Sequence, residues 1–331
     1  MSICVIGGAG YIGSVVVECL QKAGRRVIVY DNLSRGHRKA VFHDTPFVEG
    51  DHGDAAKLKA ALEKYECDVV MHFSALSLVG ESVKNPLLYY DNNVSKGVAL
   101  LEASVAAGVK YFIFSSTAAV YGEPVSIPIR ESDPTVPNNP YGNTKLAFER
   151  LLHDVTSVAR MSFVALRYFN ACGATEIHGE DHEPETHLIP IALQAAMGQR
   201  ERLYIFGDDY PTPDGTCLRD YIHVLDLAKA HILALEYLER GGGSQAFNLG
   251  NGNGFSVLEV IEAARKVTGR KIKAEKAGRR PGDPAVLVAS AEKARSVLGW
   301  SPEWTSLERI IESAWKWRLA NPDGYEVPSR Q

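Results

Sequence analysis

A tyrosine and a lysine lie four residues apart in the segment NNPYGNTKLAFER. Asn138 or Asn139 can cap a helix there, and Pro140 suits the first helical turn. Tyr141 and Lys145 are therefore predicted to share one helix face. A phenol beside an ammonium group can accept the proton of an alcohol. Taken alone, the pair is more typical of surface packing, so the chemistry depends on what else the chain supplies.

A second segment, CVIGGAGYIGS, places Gly7, Gly10 and Gly13 between an apolar strand and a helical pattern. Glycines in that setting allow a tight turn and close approach of the backbone to a pyrophosphate, which the helix start attracts. The next strand ends at Asp31, eighteen residues after Gly13. An acid there accepts the ribose hydroxyls of NAD and repels the extra phosphate of NADP. The alternative, a flexible turn with a chance acid, is disfavoured by the strand patterns on both sides.

A bound NAD would give the tyrosine a defined task, removal of a sugar hydroxyl proton while hydride leaves for the nicotinamide. Lowering the tyrosine pKa from about 10 to about 7 costs about 4 kcal/mol. Unit charges about 4 Å apart interact by about 4 kcal/mol at an effective dielectric of 20. Lys145 and the oxidised nicotinamide are two such charges. Thr117, after the strand that ends in "SS", supplies a hydroxyl that can orient the sugar oxygen.

Composition and charge restrict the class of protein. The chain has 331 residues, of which 45% are hydrophobic and 23% charged, as in a globular protein of two domains or one large α/β unit. A net charge of −4 and a pI near 6.2 give no general attraction to nucleic acid or to an anionic membrane. The apolar runs are too short for a membrane span or a signal peptide. Five cysteines without a CxxC pair indicate reduced thiols in a cytoplasmic protein.

The first half of the chain alternates apolar runs with helical patterns. The runs SICVI, RVIVY, DVVMHF, KYFIFSS and MSFVALRYF predict a doubly wound parallel sheet, the Rossmann fold, with ligands at the carboxyl ends of the strands. Helices are predicted over residues 11–23, 224–240, 256–268 and 307–321. Residues 1–170 are predicted to form the NAD-binding domain, to which a segment around 220–250 returns. Residues 171–331 are predicted to form a second, smaller α/β substrate domain.

A longer series of motifs carries a family resemblance. GGAGYIG, HFSAL, ESVKNPLLYYDNNV, FIFSSTAAVYG, PYGNTK, LRYFNACGA, FGDDYPTPDGTCLRDYIHVLDLA, NLGNG and RRPGDP follow one another in order. Over its whole length the chain resembles the extended short-chain dehydrogenase/reductase proteins (the NAD-dependent epimerase/dehydratase family), and among them the 4-epimerases of UDP-sugars. The resemblance implies interconversion of UDP-glucose and UDP-galactose through a 4-keto intermediate, with NAD tightly bound.

The resemblance also implies site residues. Tyr141 would be the catalytic base, Lys145 would tune it, and Thr117 would bridge it to the substrate; the family more often has serine at the third position. The implied cofactor-binding residues are Gly7, Gly10, Tyr11, Ile12, Gly13, Asp31, Asn32, Asp51, His52, Phe73, Ala75, Asn92, Ser115, Tyr141, Lys145 and Tyr168. The implied substrate-binding residues are Thr117, Tyr141, Asn170, Thr186, His187, Leu188, Tyr204, Phe206, Arg219, Leu287, Arg280 and Asp283. Arg219 and Arg280 would grip the diphosphate and Phe206 would lie near the uracil.

Two residues argue against a different reaction of the same family. The similar sugar-nucleotide dehydratases carry an Asp–Glu pair where this chain has Ala118 and Ala119, which cannot transfer protons. Alternatives remain: an epimerase of N-acetylated or pentose UDP-sugars, an NAD-dependent nucleotide-sugar reductase with exchangeable cofactor, or an NAD-sensing regulator. The residue at Leu287 tunes the room for the sugar's 2-substituent in the family. His187 replaces its usual asparagine, and Ser77 a common lysine.

Two further signals concern metals and partners. His178, His182 and His187 lie in a polar loop without other ligands at a metal-site spacing, so they are predicted to be solvated and no metal is expected. The segment NPLLYYDNNVSKGVALLEASVAAG has an apolar helical face that either packs in the core or joins the Tyr141 helix in a homodimer, as the resemblance implies. The expected partners are thus a UDP-sugar and a second copy of the chain, without nucleic acid or membrane.

Overall fold

The strands of the computed structural model, which describes residues 1–42, 44–280 and 282–325, form three sheets. In chain order the strands are β1 (Ser2–Ile6), β2 (Arg26–Asp31), β3 (Phe47–Glu49), β4 (Cys67–His72), β5 (Tyr111–Thr117), β6 (Ser162–Tyr168), β7 (Asn170–Cys172), β8 (Leu203–Phe206), β9 (Leu218–His223), β10 (Gln245–Leu249), β11 (Gly254–Ser256), β12 (Ala274–Ala277) and β13 (Val286–Leu287). The helices are α1 (Tyr11–Lys22), α2 (Ala55–Lys64), α3 (Val79–Lys84), α4 (Pro86–Tyr90), α5 (Lys96–Ala106), α6 (Pro140–Val158), α7 (Leu188–Ala196), α8 (Val224–Glu239), α9 (Val257–Thr268) and α10 (Leu307–Ala320).

The main sheet has seven strands in the order β10-β6-β5-β4-β1-β2-β3, and every pair in it is parallel. The strand order reverses at β1, where the chain passes first to β2 and β3 and then to β4 on the other side. Such a reversal opens a crevice at the carboxyl ends of the strands, where ligands bind in this class of fold. The predicted doubly wound parallel sheet is confirmed.

The two faces of this sheet bury separate cores because side chains alternate along each strand. In β1, Ile3 and Val5 face a core shared with α1 and α8, whereas Cys4 and Ile6 face a core shared with α2, α5 and α6. All four side chains are almost wholly buried. Burial of one such large apolar side chain contributes roughly 1.5–3 kcal/mol. The helices are thereby fixed against the strands whose ends carry the candidate site.

In the second sheet, β9 pairs with β7, β11 and β13. In the third sheet, β8 pairs with β12. Helices α7, α9 and α10 pack around them in a third apolar core that includes Leu193, Ile261 and Ile310. The strand β10 lies between β9 and β11 in the chain yet pairs with β6 in the main sheet. The last six residues of the predicted 171–331 domain lie outside the described residues, and the domain boundaries stay a prediction.

Local sequence explains where α6 begins. The side chain of Asn139 accepts a hydrogen bond of 2.9 Å from the backbone N–H of Gly142, and Pro140 occupies the first helical position. Of the two asparagines predicted as candidate caps, Asn139 is therefore the cap. Among the described residues, every helix falls short of the length or the apolarity needed to cross a bilayer.

Candidate active site

A cavity of about 260 Å³ lies at the carboxyl-terminal edge of the main sheet. It is lined by residues that follow β1, β2, β4 and β5, together with residues of α6. Its walls include these residues predicted from the sequence: Gly7, Gly10, Tyr11, Ile12, Gly13, Asp31, Asn32, Phe73, Ala75, Asn92, Ser115, Thr117, Tyr141, Lys145, Tyr168 and His187. The fold thus brings most of the predicted cofactor site and the three predicted catalytic residues around one space.

The glycine turn after β1 leaves no room for side chains. Gly7 has a φ of +80°, and a Cβ atom there would lie 2.6 Å from the backbone nitrogen of Ser74. A Cβ atom on Gly13 would lie 2.2 Å from the carbonyl oxygen of Gly7. The following helix α1 starts at Gly10 without a side-chain cap and without an acid in its first turn. Its free N–H groups and partial positive charge are therefore left for a phosphate ligand, which fits a dinucleotide.

Asp31 closes the far side of this turn. One oxygen of its carboxylate accepts a hydrogen bond of 2.9 Å from the N–H of Ala9, and the other accepts one of 2.8 Å from the N–H of Leu33. Burial raises the pKa of Asp31, and these two backbone donors limit the rise. A carboxylate held this way can still accept ribose hydroxyls, because each oxygen has a second lone pair.

The three predicted catalytic side chains come from two elements. Thr117 ends β5, while Tyr141 and Lys145 lie one helical turn apart on α6. The ammonium of Lys145 donates a hydrogen bond of 2.7 Å to the carbonyl oxygen of Ser115, and its nitrogen lies 4.7 Å from the centre of the Phe114 ring. Lys145 is therefore anchored to the strand end, with its charge directed toward the cavity.

The charges of the protein alone do not lower the pKa of Tyr141. Burial raises that pKa to about 12, and the neighbouring Thr117 hydroxyl opposes the shift without reversing it. Burial also lowers the pKa of Lys145 to about 7, although the carboxylate of Glu149 acts in the other direction. The sequence-based estimate, in which Lys145 helps to ionise the phenol, thus depends on the positive charge that an oxidised nicotinamide brings.

Tyr168 lines the cavity and lies beside a buried histidine. The Nδ1 of His231 lies 2.8 Å from the carbonyl oxygen of Leu227, so this nitrogen carries the proton. The Nε2 must then accept, and the hydroxyl of Tyr168 donates to it over 2.5 Å. Phe73, which lines the same cavity, packs on the ring of His231 with 4.8 Å between the ring centres. Both histidine nitrogens are therefore satisfied in the neutral form.

Two predicted cofactor residues lie outside the cavity lining. The carboxylate of Asp51 binds the ammonium of Lys96 and the amide of Asn32, each at 2.9 Å. The ring of His52 is buried and lies between the carbonyl oxygen of Asn92 at 3.0 Å and the Ser74 hydroxyl at 2.8 Å. In the described structure both residues hold neighbours that do line the cavity, and direct contact of either with a cofactor stays a prediction.

The predicted nucleotide-binding residues form a second group on the smaller part of the molecule. The guanidinium of Arg280 lies 3.9 Å above the centre of the Phe206 ring. Arg219 donates to the carbonyl oxygen of Pro284 over 2.9 Å, and its guanidinium lies 3.4 Å from the carboxylate of Asp283. Two cationic groups and an aromatic ring are thus brought together, as a nucleoside diphosphate requires.

Five other predicted substrate residues, all among the described ones, lie outside the cavity lining. Asn170 begins β7, and Tyr204 is a half-exposed residue on β8. Thr186 and Leu188 flank His187 at the start of α7. Leu287 packs against a buried cluster that includes Ala118 and Phe169, near the end of the strand that carries Thr117.

One contact links the nucleotide group to the catalytic helix. The side-chain amide of Asn138, next to the helix cap, donates a hydrogen bond of 3.1 Å to the carbonyl oxygen of Gly282. The loop that carries Arg280 and Asp283 is thereby joined to the start of the helix that carries Tyr141.

Several cavity residues were not predicted from the sequence. They are Ser34, Arg35, Gly36, Ser74, Leu76, Ser77, Leu78, Glu81, Ser116, Phe169, Ala171, His182 and Pro184. Most directly follow a strand of the main sheet, and position at a strand end is the signal that could have found them.

The prediction that His178 is solvated is wrong. Its side chain is almost wholly buried, with Nδ1 at 2.8 Å from a carboxylate oxygen of Glu18 and Nε2 at 2.9 Å from the carbonyl oxygen of Ala40. The polar composition of its loop suggested exposure, but the fold supplies a partner for each ring nitrogen.

Comparison with known proteins agrees with this geometry. Residues 3–250 match the model of the NAD dependent epimerase/dehydratase family. A protein of Halalkalibacterium halodurans named UDP-glucose 4-epimerase is 56% identical over 332 residues, which cover 100% of this chain and 99% of that protein. The chain belongs to the NAD dependent epimerase/dehydratase family. Members of this family depend on NAD, which is a dinucleotide of the kind that the glycine turn and Asp31 of this cavity fit.

Solved structures of this family have nearly the same fold. The UDP-glucose 4-epimerase of Brucella ovis, in complex with NAD, is 47% identical with a TM-score of 0.92, over 95% of this chain and 97% of that one. The enzyme of Stenotrophomonas maltophila, with bound NAD and formylated UDP-arabinopyranose, is 41% identical with a TM-score of 0.93, over 97% of this chain and 99% of that one. Relatives of this chain thus bind both NAD and a UDP-sugar.

Proposed function

We propose that this chain is an NAD-dependent isomerase that interconverts UDP-glucose and UDP-galactose. The observation that carries the proposal is the convergence of Tyr141, Lys145 and Thr117 on the cavity that the glycine turn and Asp31 also line. The full-length similarity to proteins named UDP-glucose 4-epimerase supports the same reaction. Ala118 and Ala119 follow Thr117 where the dehydratases place carboxyl groups, so elimination of water lacks its acid and base.

Each of the three catalytic residues has a separate role in the proposed reaction. NAD, when bound, supplies the oxidising and reducing chemistry at C4 of the sugar. Tyr141 accepts the proton of the 4-hydroxyl group as the 4-keto sugar forms, and it returns the proton when the sugar is reduced on its other face. Thr117 orients the sugar oxygen, and Lys145 holds its charge beside the phenol. A base tuned toward the working pH contributes about 10²- to 10⁴-fold to such a step.

The nucleotide has to stay bound while the sugar turns between its two orientations. Arg219 and Arg280 are proposed to hold the diphosphate, and Phe206 the uracil, because Arg280 lies over the Phe206 ring and Arg219 pairs with Asp283 of the same loop. Asn170, Thr186, His187, Leu188, Tyr204 and Asp283 are proposed to complete this part of the site. The proposal assigns the main sheet to cofactor binding and residues 171–331 largely to substrate binding.

The deciding experiment uses purified protein, UDP-galactose and no added cofactor, with the product followed by NMR. UDP-glucose should accumulate to a stable equilibrium mixture, because each turnover restores the oxidised cofactor. Tyr141→Phe keeps the ring and removes the proton acceptor, so it should lower kcat by about 10²- to 10⁴-fold while NAD remains bound. Turnover that consumes free NAD in proportion to product would refute the epimerase assignment.

The same purified protein distinguishes the epimerase from the alternative functions. A reductase with exchangeable cofactor would lose NAD during gel filtration, whereas an epimerase should retain it. A regulator that senses NAD would retain cofactor but give no product with any UDP-sugar. Leu287, which contacts the residues beside Thr117, is the position proposed to set the sugar range, so UDP-N-acetylglucosamine and UDP-arabinose should be compared with UDP-galactose.

We also propose that the chain works as a homodimer in the cytoplasm. Helices α3 to α5, beside α6, expose Val83, Leu87, Leu88, Val98 and Val105, an apolar surface that a second copy would cover. Light scattering should give the mass of a dimer, and Leu87→Glu should shift it toward the monomer. The cytoplasmic assignment is supported by the five cysteines, all free and four of them buried.

A further inference from the structure

The loop between β7 and α7 brings four potential metal ligands together. They are Glu180, His182, Glu185 and His187, and one donor atom from each lies within 4.8 Å of every other. The two histidines offer Nδ1 and the two glutamates offer a carboxylate oxygen. The sequence predicted no metal because no other ligands lay at a usual metal-site spacing, whereas the fold brings two glutamates beside two of the histidines.

The donor separations are near those expected around a small tetrahedral ion. The Nδ1 of His187 lies 2.8 Å from a carboxylate oxygen of Glu180 and 3.0 Å from one of Glu185. The Nδ1 of His182 lies 3.2 Å from the same Glu180 oxygen and 3.8 Å from the other carboxylate oxygen of Glu185. Four donors at zinc-ligand distances of about 2.0–2.2 Å stand roughly 3.3–3.6 Å apart in a tetrahedron. Three of the observed separations are shorter than that range and one is longer, so the donors would have to shift by a few tenths of an ångström to bind the ion.

Two buried atoms of the cluster lack hydrogen-bond partners among the described residues. They are the Nδ1 of His182 and the Oε2 of Glu185. The Glu185 side chain is 2% exposed, and its other oxygen already accepts from the N–H groups of Thr186 and His187 at 2.7 and 2.8 Å. Buried polar atoms without partners are rare in folded proteins and call for an unseen one. The two atoms lie 3.8 Å apart.

The negative charge of the two glutamates also favours a bound cation. Glu180 and Glu185 are both buried and together bring two negative charges into the loop. The nearby guanidiniums of Arg318 and Arg200 donate to the backbone carbonyl oxygens of these glutamates rather than to their carboxylates. A protonated His187 could balance one of the two charges, but it would leave both unpartnered atoms as they are.

We propose that Glu180, His182, Glu185 and His187 bind one divalent transition-metal ion, with zinc the best match to two imidazoles and two carboxylates. Four protein ligands close the coordination shell, so the ion is structural rather than catalytic. It would fix the loop whose His182, Pro184 and His187 line the cavity. Coordination through Nδ1 leaves the Nε2 of His187 free.

The test uses the full chain expressed without a polyhistidine tag. Mass spectrometry of the purified protein should find one zinc or similar ion per chain. After chelation, Co²⁺ should restore the ion with the intense visible absorption of tetrahedral cobalt and raise Tm. Mg²⁺ should do neither, because it prefers octahedral oxygen sites. No bound transition metal, together with no response to Zn²⁺ or Co²⁺, would overturn the proposal.

Variants locate the ion. His182→Ala and Glu185→Gln should each weaken metal binding by about 100-fold or more, since even outer-shell changes cost 10- to 100-fold. His153→Ala removes an exposed histidine of α6 and should leave binding unchanged. Full affinity in both loop variants would refute this location. If either variant fails to fold, anomalous diffraction from wild-type crystals decides: a peak among the four donors supports the site, and a peak elsewhere or none refutes it.

Discussion

Arg167 holds the carboxylate of Glu149 with two hydrogen bonds, of 2.7 Å and 3.1 Å, where β6 packs against α6. Both side chains are almost wholly buried, and the Ser116 hydroxyl donates to the same carboxylate. Glu149 lies one helical turn beyond Lys145. The ion pair joins α6 to β6, and the Ser116 hydrogen bond joins α6 to β5, the strand that ends at Thr117. These contacts fix the position of α6 so that the catalytic groups of α6 and β5 meet.

Removal of one partner of this pair should cost more than loss of a surface ion pair. Glu149→Gln leaves the Arg167 charge buried without a counter-charge, and we expect the free energy of unfolding to fall by about 3–5 kcal/mol. Urea unfolding measures the change. Glu63→Gln, which breaks the exposed pair with Lys59, is the control and should change stability by about 0.5 kcal/mol or less. Equal effects of the two substitutions would show that the buried pair has no special role.

The pKa of Tyr141 should depend on the redox state of the cofactor. Burial raises this pKa to about 12 even though the Thr117 hydroxyl opposes the shift, so ionisation near neutral pH requires added positive charge. With oxidised NAD bound, the pKa should be lower by roughly 1–3 units than with the reduced form, because one unit charge is gained nearby. Ultraviolet difference titration of wild type against Tyr141→Phe measures it. An unchanged pKa would mean that the nicotinamide does not activate the phenol.

Substitution at Gly13 should disrupt the dinucleotide turn. A Cβ atom there meets the Gly7 carbonyl oxygen at 2.2 Å, and backbone cannot move aside as a flexible side chain can. Gly13→Ala should lower stability by about 1–3 kcal/mol and reduce the NAD content of the purified protein. Gly80→Ala is the control, since its Cβ would meet no heavy atom within 4 Å. Retention of full NAD content by Gly13→Ala would argue against this turn as the phosphate site.

Stability should depend on pH through His231. Burial lowers its pKa from 6.5 to about 4, although the bond to Leu227 opposes the shift. Between these values the unfolded chain binds a proton that the folded chain does not, so stability falls as pH drops from about 6.5 to about 4. The slope contributed is up to about 1.4 kcal/mol per pH unit. His231→Gln should flatten the pH dependence of the unfolding free energy, whereas His153→Gln should leave it as in wild type.

Arg280 should affect substrate binding more than the chemical step. Its guanidinium lies over the Phe206 ring and is proposed to bind the nucleotide rather than the reacting sugar, so Arg280→Leu should raise KM for the UDP-sugar by about 10- to 100-fold with a smaller change in kcat. The neighbouring Arg279→Leu removes a guanidinium that is paired with Asp209 at the surface, and it should leave KM near the wild-type value. A fall in kcat alone would place Arg280 at the reacting sugar instead.

The sequence predicted local features well. Helix α9 was expected over residues 256–268 and occupies Val257–Thr268, because Ser256 and Glu259 form a capping box that marks its start. The glycine turn, Asp31 and the Tyr141 pair were likewise found from short-range patterns, and the fold brings them to one cavity. Their contacts with cofactor and substrate stay predictions until a complex is measured.

Contacts between residues far apart in the chain were not predicted from the sequence. His178 looked exposed because its partner Glu18 lies 160 positions earlier in the chain. The pairing of β7 with β9 likewise depends on where segments distant in the chain meet. Apolar periodicity states which face of an element is buried, but it does not state what covers that face.

The return of β10 to the edge of the main sheet has a consequence for the evolution of this chain. Residues 245–249 cover the edge of β6, yet they are encoded after β8 and β9 of the smaller part. A gene truncated after position 170 would leave β6 with a bare hydrogen-bonding edge and would strip α8 from the core beside α1. The smaller part therefore cannot be exchanged as a single contiguous segment without also removing a strand and a helix that complete the main sheet and its core.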